Sequence, residues 1–546
     1  MRVWRRTGVL LAVLSTVLVT ACDGGGGDTT TTSADGGATT VADTTAGGSP
    51  ATSAPATSAP ATSAPATSAP STGGGSASDA VVRVGATLEP VSLDLTAESG
   101  AAIPQVLLYN VYETLVKINV DTAEIEPLLA ESWEVSADGL TYTFNLVEAT
   151  FHDGSPLVAS DVKWSFERAK DPANNNPFAS MMEVVDTVEA PDDRTVVVTL
   201  SQPSSSWLFN MGSQVGVILK EGASDLASTV NGTGPFTFSE WNRGSNIVLS
   251  RFDDYWGQPS QIGGVEFVYV TDPNQLNNQL LADQLDLISN VQAPQLLEAF
   301  EADDSYVVTT GETNGEVVLS FNNATEPFDD VRVRQAVRHA IDKEALVNTT
   351  WAGYGTLIGS MVPPGDPWYE DRTGDIPYDP EAARALLAEA GYEDRLSITF
   401  DVPPPGYARQ AAPFIAAQLN EVGIQVEQNN IEFPQWLDKV FTNKNFQMSI
   451  VAHVEPRDMG QYGNPDYYWG YDNPEVQGWL EEADLATDEE TRNELMAQVA
   501  AQISEDAVSD WLYLLPSLIV SKDDVTGFPT NAYALSFDMT NVSVSE

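Results

Sequence analysis

Tyr378-Asp379-Pro380-Glu381-Ala382-Ala383-Arg384-Ala385-Leu386-Leu387-Ala388-Glu389-Ala390-Gly391-Tyr392 spells out one complete helix with its own start and stop. The Asp379 carboxylate can accept from the free N–H groups of a first turn, and Pro380 has the fixed φ and missing N–H that a first turn tolerates. Gly391 supplies the left-handed residue that ends it. Residues 408–422 read as a second, Ala-rich helix stopped by Gly423, with strand 424–428 directly behind it. Pro413 has no N–H for a helix interior, so the regular part of that helix is expected to begin there. Upstream, Val333, Ala336, Val337, Ala340 and Ile341 recur at helical spacing within residues 331–347, a core-facing stripe. Strands are expected at 81–85, 195–200, 247–250, 265–270 and 317–321, and on either side of Asp138-Gly139, a hairpin signal joining 132–135 to 141–146. Helices and strands interleave, which predicts an α/β fold with mixed sheets.

Outward from this core the chain changes character twice. Residues 80–546 are too long for one core of about 250–300 residues, so two or more lobes are expected. Before them, residues 23–79 consist almost wholly of Gly, Ser, Thr, Ala, Pro and Asp, with Ala-Thr-Ser-Ala-Pro repeated four times across residues 51–70. That composition buries too little apolar surface to offset its ordering entropy and reads as a disordered tether from 22 to 79. At the front, Arg2, Arg5 and Arg6 precede an uncharged apolar run that closes on Val19-Thr20-Ala21-Cys22. This is the shape of an export signal over residues 1–21, too short to span a bilayer. Cys22 is the only cysteine, so no disulfide can form within the chain. The chain has 78 Asp+Glu against 25 Lys+Arg, a formal −53 that repels nucleic acid and anionic lipid.

Six segments carry a resemblance. They are Ser132-Trp133-Glu134-Val135 with Asp138-Gly139, Phe151-His152-Asp153-Gly154 with Asp161-Val162, Gly232-Thr233-Gly234-Pro235-Phe236, and Tyr255-Trp256. Val331-Arg332-Val333-Arg334-Gln335-Ala336 with Ala340-Ile341-Asp342 follows, and then Tyr378-Asp379-Pro380 with Leu386-Leu387 and Ala390-Gly391-Tyr392. In this order they resemble the family 5 extracytoplasmic solute-binding proteins of ABC importers, the dipeptide, oligopeptide and nickel group. Val19-Thr20-Ala21-Cys22 likewise resembles the lipobox of bacterial lipoproteins, which implies a lipid on the Cys22 thiol.

The resemblance implies a two-lobed periplasmic-binding-protein-like fold (type II, cluster C) with a β-rich subdomain inserted in lobe I. Lobe I is then expected at 80–117, 239–318 and 516–546, the insert at 118–238 and lobe II at 319–515, with crossings near Ser320 and Leu514. His152 reads as a structural turn histidine, and Arg332 and Arg334 as surface or inter-lobe ion pairs. The expected ligand residues, also implied by the resemblance, are Thr96 and Ser99 after the first strand, Tyr407, and His453, Glu455, Arg457 and Asp458 in the loop after strand 446–452. Trp469 is expected to stack on ligand or to pack in the core with Tyr467, Tyr468 and Tyr471. A carboxylate in that loop suits the ammonium of a peptide, whereas no basic residue within 402–407 awaits a C-terminal carboxylate; Arg409 follows two residues later.

The expected function is a lipid-anchored, extracytoplasmic receptor that captures a peptide-like solute and delivers it to ABC permease subunits, with no cofactor and as a monomer. A metal chelate, a glycan or an opine-like compound is the alternative cargo. A bound metal is not expected, because His453 has no neighbouring His or Cys. A tethered hydrolase is the remaining alternative, against which stand the missing Gly-x-Ser-x-Gly and His-Glu-x-x-His patterns and the absence of a cysteine nucleophile.

Overall fold

The computed structural model describes residues 78–97, 101–120, 122–393 and 395–545. The leader, Cys22, the tether up to residue 77 and Ser99 lie outside these residues. Val81–Ala86, rich in β-branched residues, runs parallel to Gly264–Tyr269 on one side and Leu287–Ile288 on the other. They sit within a seven-stranded mixed sheet ordered Tyr306–Gly311, Ser517–Lys522, Leu287–Ile288, Val81–Ala86, Gly264–Tyr269, Asn246–Arg251 and Phe236–Asn242. A second, five-stranded sheet is ordered Ile424–Asn430, Leu396–Val402, Met448–His453, Glu316–Phe321 and Ser509–Leu514. Glu316–Phe321 and Ser509–Leu514 are buried at every residue, as strands covered on both faces must be. A four-stranded sheet, Ala130–Val135, Thr141–Leu146, Thr195–Leu200 and Val185–Glu189, has its own apolar core around Phe144, Phe166 and Trp207. The Asp138-Gly139 turn joins its first two strands, with Gly139 at φ +68°.

The chain passes between the two large sheets at residues 312–315 and again at 515–516. The first passage therefore precedes the expected crossing at Ser320. That residue lies within its strand, paired with Ser449 on one side and Ser509 on the other. The two passages are tied together: the Thr313 hydroxyl donates to the Leu515 carbonyl (2.7 Å) and the Leu515 N–H to the Gly315 carbonyl (2.8 Å).

The helix read from residues 378–392 forms at Pro380–Glu389, with the Asp379 carboxylate accepting from the Glu381 and Ala382 N–H groups, each at 3.0 Å. It buries Ala383 and Leu387, the latter worth about 1.5–3 kcal/mol. Two expectations need correction. The stripe over 331–347 is two helices, Val331–Ala340 and Lys343–Trp351. Ile341 turns extended, and the Asp342 carboxylate starts the second helix by accepting from the Ala345 N–H at 2.9 Å, the local competition with a continuing helix that short polar side chains offer. Pro413 sits inside the helix Gly406–Glu421 rather than at its start. Burial of Ala408, Ala411, Ala412, Ile415 and Leu419 along one face holds that helix despite the bond proline removes.

Several of the six segments prove to be one joint. His152 Nε2 meets the Gly234 carbonyl at 2.9 Å, and the His152 N–H donates to the Gly232 carbonyl at 2.9 Å. A Cβ on Gly232 would stand 1.8 Å from the Val111 carbonyl oxygen, so only glycine lets these backbones meet. Beside them the fully buried Glu113 accepts from the Tyr255 hydroxyl (2.7 Å) and the Trp256 indole (2.9 Å). Arg332 forms the expected surface pair with Asp330 (2.6 Å). Arg334 does not: it is buried and donates to the carbonyls of Phe328, Asp506 and Ala507, because the helix turns it inward.

Candidate functional site

The site grows from one strand pair. Glu316 lies directly opposite His453 across two antiparallel strands, which places their side chains side by side on one face. After His453 the backbone turns through Arg457 in the left-handed region (φ +60°) and enters the short 3₁₀ turn Asp458–Gly463. That turn brings Asp458 back over the strand, where its Oδ2 meets His453 Nδ1 at 2.8 Å. On the other side of the ring, His453 Nε2 is 3.1 Å from the Tyr468 hydroxyl, which is itself 2.7 Å from the Ser320 hydroxyl. Ligating atoms of His453, Glu455 and Asp458 lie within 4.8 Å of one another.

The charges here are poorly neutralised. Glu316 is buried, and its Oε2 and Asp458 Oδ1 have no hydrogen-bond partner. Burial raises the Glu316 carboxyl well above the ordinary range, and the charges of Asp458, Asp366 and Glu455 raise it further. Glu455, at the solvent edge of the group, is raised by lost hydration and then by Asp458. Burial alone would lower the His453 imidazole, but the Asp458 charge and hydrogen bond outweigh it, so its pKa lies above the ordinary value. Asp366 is pushed up to about 6 by burial, against the pull of Arg457. The Arg457 Nε is 3.6 Å from Asp366 Oδ1, and burial lowers that guanidinium to about 10. Arg457 also lies 3.7 Å from the centroid of the Phe209 ring and 5.2 Å from that of Trp368. Its positive charge thus lies beside Asp366, while the imidazole of His453 lies beside Asp458 and Glu455.

A cavity of about 180 Å³ opens nearby, at the carboxyl ends of Val81–Ala86 and Leu287–Ile288. Gln105, Ser289, Asn290, Gln292, Thr313 and Ser517 line it, and among the described residues no charged one does. Tyr533, flanked by the lining residues Ala532 and Ala534, packs on Gly365, the residue before Asp366.

Of the residues expected from sequence, His453, Glu455, Arg457 and Asp458 come together. Tyr407 stands next to them, its hydroxyl accepting from the Ala452 N–H at 2.8 Å. Trp469 is buried and stacked on Tyr462 (ring centroids 4.1 Å apart), and Tyr467, Tyr468 and Tyr471 are buried with it. Thr96 lies elsewhere, its hydroxyl shared between Asp94 (2.7 Å) and Arg168 (2.9 Å). Arg409 donates to the Pro403 and Ile431 carbonyls and shapes the loop above. Glu316 and Asp366 were missed. The one signal for Glu316 is an acid opening the apolar run Glu316-Val-Val-Leu-Ser-Phe321.

The model of the bacterial extracellular solute-binding proteins, family 5 (middle), matches residues 124–475. The chain belongs to that family. This family 5 protein is 28% identical over 481 residues to a glutathione-binding protein of Pectobacterium atrosepticum, covering 83% of this chain and 92% of the relative. It is 31% identical over 392 residues to the dipeptide-binding protein of Escherichia coli K12, covering 66% of this chain and 72% of the relative. An ABC transporter-associated periplasmic binding protein of Helicobacter pylori, solved with the peptide STSA, superposes with a TM-score of 0.72 at 25% identity, over 85% of this chain and 98% of that one. The expected two-lobed periplasmic-binding-protein fold is therefore the fold of this family 5 protein, its lobes built on the seven- and five-stranded sheets. Among the described residues no helix is long and apolar enough to cross a membrane.

Proposed function

We propose that this family 5 protein is a receptor, not an enzyme, that captures a peptide-like solute by its free ammonium and hands it to the permease subunits of an ABC importer. The observation that carries the reading is the acidic group Glu316, Glu455 and Asp458 around His453, in which Glu316 Oε2 and Asp458 Oδ1 are buried with no hydrogen-bond partner. A cationic end placed there gains charge-assisted hydrogen bonds in a dry setting. The neutral, amide-rich cavity beside Tyr533 suits the uncharged remainder of such a ligand. The relatives named for glutathione and dipeptides support peptide-like cargo. The export signal and Cys22 support a lipid anchor at the outer face of the cell membrane. We take the working form to be a monomer.

The test is calorimetry of the full chain with a panel of di- and tripeptides, each with a free and an acetylated N-terminus. Binding that acetylation weakens at least about tenfold supports the reading. Equal binding of both forms, or turnover of the peptide, overturns it.

A further inference from the structure

The four-stranded sheet has no part in the peptide reading, yet one of its loops reaches the five-stranded side of the molecule. Ser204, Ser205 and Ser206 follow its strand Thr195–Leu200 and lead into the short helix Trp207–Asn210. Opposite them ends the helix Pro474–Leu485, which the chain forms between strands Met448–His453 and Ser509–Leu514 of the five-stranded sheet. The last carbonyls of a helix have no partner within it and form its negative pole, which a basic side chain commonly offsets. The last turn of this helix holds no basic residue, and Asp484 adds a further acidic group. The serines supply the donors instead. The Ser205 N–H donates to the Asp484 carbonyl at 2.9 Å and its hydroxyl to the Ala483 carbonyl at 3.1 Å. The Ser204 and Ser206 hydroxyls each donate to Asp484 Oδ1 at 3.2 Å. Two further contacts lie on either side. A Cβ on Gly139, in the hairpin turn, would stand 3.2 Å from the Thr487 methyl, so that turn rests on the same stretch. Phe209, in the short helix after the serines, lies with its ring centroid 3.7 Å from the Arg457 guanidinium. Arg457 opens the turn that carries Asp458, so the loop that caps the helix also packs on the turn of the acidic site.

From this arrangement we infer that residues 204–209 are a latch for the closed protein. Ser204, Ser205 and Ser206 cap the helix Pro474–Leu485 and Phe209 seats on Arg457, which holds the four-stranded part against the lobe of the five-stranded sheet. The serine bonds all run from neutral donors, and each is worth about a factor of 2–10 in an equilibrium. The aromatic ring on the guanidinium adds a factor of about 2–5. Contacts of this size bias the lobes toward closure and still let go, whereas parting a buried ion pair would strand two charges. A solute between the lobes needs to supply only the remaining difference between open and closed states, so the latch raises the apparent affinity for any solute the cleft accepts. The serines and Phe209 act on the lobes and need no feature of the cargo. The inference therefore stands apart from the peptide reading.

The test is a distance between the two sides. The full chain with Cys22→Ser, which removes the sole native thiol, carries spin labels on Glu134→Cys and Glu494→Cys. Both positions are exposed, one on the four-stranded sheet and one on the helix Glu489–Glu505. Pulsed electron–electron resonance without added solute is expected to show one dominant short distance. Changing Ser204, Ser205 and Ser206 together to alanine should move the population toward longer distances about tenfold or more. Asp484→Ala removes the acceptor of two of the serines from the other side and should shift it in the same direction. Phe209→Leu keeps apolar volume but loses the ring on Arg457, and should shift it about two- to fivefold. Ser205→Thr keeps the hydroxyl and should stay with the parent. Near-ultraviolet circular dichroism shows which variants keep the fold; if the triple variant does not, Asp484→Ala decides. Folded latch variants with the parent's distance distribution overturn the inference, as does a parent in which the longer distance already dominates.

Discussion

Glu113 and Glu316 are both fully buried carboxylic acids, and burial raises the pKa of each. Their surroundings are opposite. Glu113 receives a hydroxyl and an indole N–H, and the neighbouring Lys117–Asp538 ion pair sets a positive charge near it. Glu316 keeps an oxygen with no donor, and the charges that reach it are those of Asp458, Asp366 and Glu455. The first acid finishes a joint between segments, and each of its two oxygens has a donor. The second is a debt left open inside the protein. On the proposed reading, the satisfied acid belongs to the scaffold and the unsatisfied one belongs to the place where the ligand's cationic end is received.

Substitutions should separate the two kinds of acid. The largest loss is expected beside Glu113: Lys117→Ala strands the buried Asp538 carboxylate and should cost about 3–5 kcal/mol, read from urea unfolding of the full chain. Glu113→Ala leaves the Tyr255 hydroxyl and Trp256 indole without an acceptor and should cost about 2–4 kcal/mol. The same residue sets a pH slope. Its folded pKa, pushed up to about 7 from 4.5, means that the folded state holds a proton the unfolded chain has lost. Its contribution is full below about 4.5 and is lost as pH rises to about 7, so Glu113→Gln should flatten the stability profile there by about 3 kcal/mol. The smallest effect is expected at Glu316→Gln, where Oε2 has no donor to lose, and should change stability by less than about 1 kcal/mol in either direction. A loss at Glu316 as large as that at Glu113 would erase the distinction between the two acids.

Much of the fold could be read because its signals are local. Asp379, Pro380 and Gly391 punctuate a helix without reference to anything distant, and the Asp138-Gly139 turn does the same for a hairpin. Where a local signal competes with packing, reading failed. The apolar stripe over 331–347 concealed the cap at Asp342, and Pro413 stays in a helix interior because five buried side chains hold it there. The site was half legible. Residues 453–458 are contiguous and could be found as a loop, whereas Glu316 and Asp366 join them only when the two central strands pair and a distant loop folds over. Tyr467, Tyr468, Trp469 and Tyr471 read alike as stacking surface or as core, since aromatic density says nothing about which side of a sheet it covers. Here they are core.

The two passages between the lobes run side by side, bonded to each other through Thr313, Gly315 and Leu515. In mechanical terms this is a ribbon of two strips laced together. A single strip twists and bends freely, but a laced pair bends across its width and resists torsion. A second tie lies far along the chain from it, where the Ser205 amide and hydroxyl donate to the carbonyls of Asp484 (2.9 Å) and Ala483 (3.1 Å). A ribbon at one place and a clasp at another restrict how the two lobes can turn against each other.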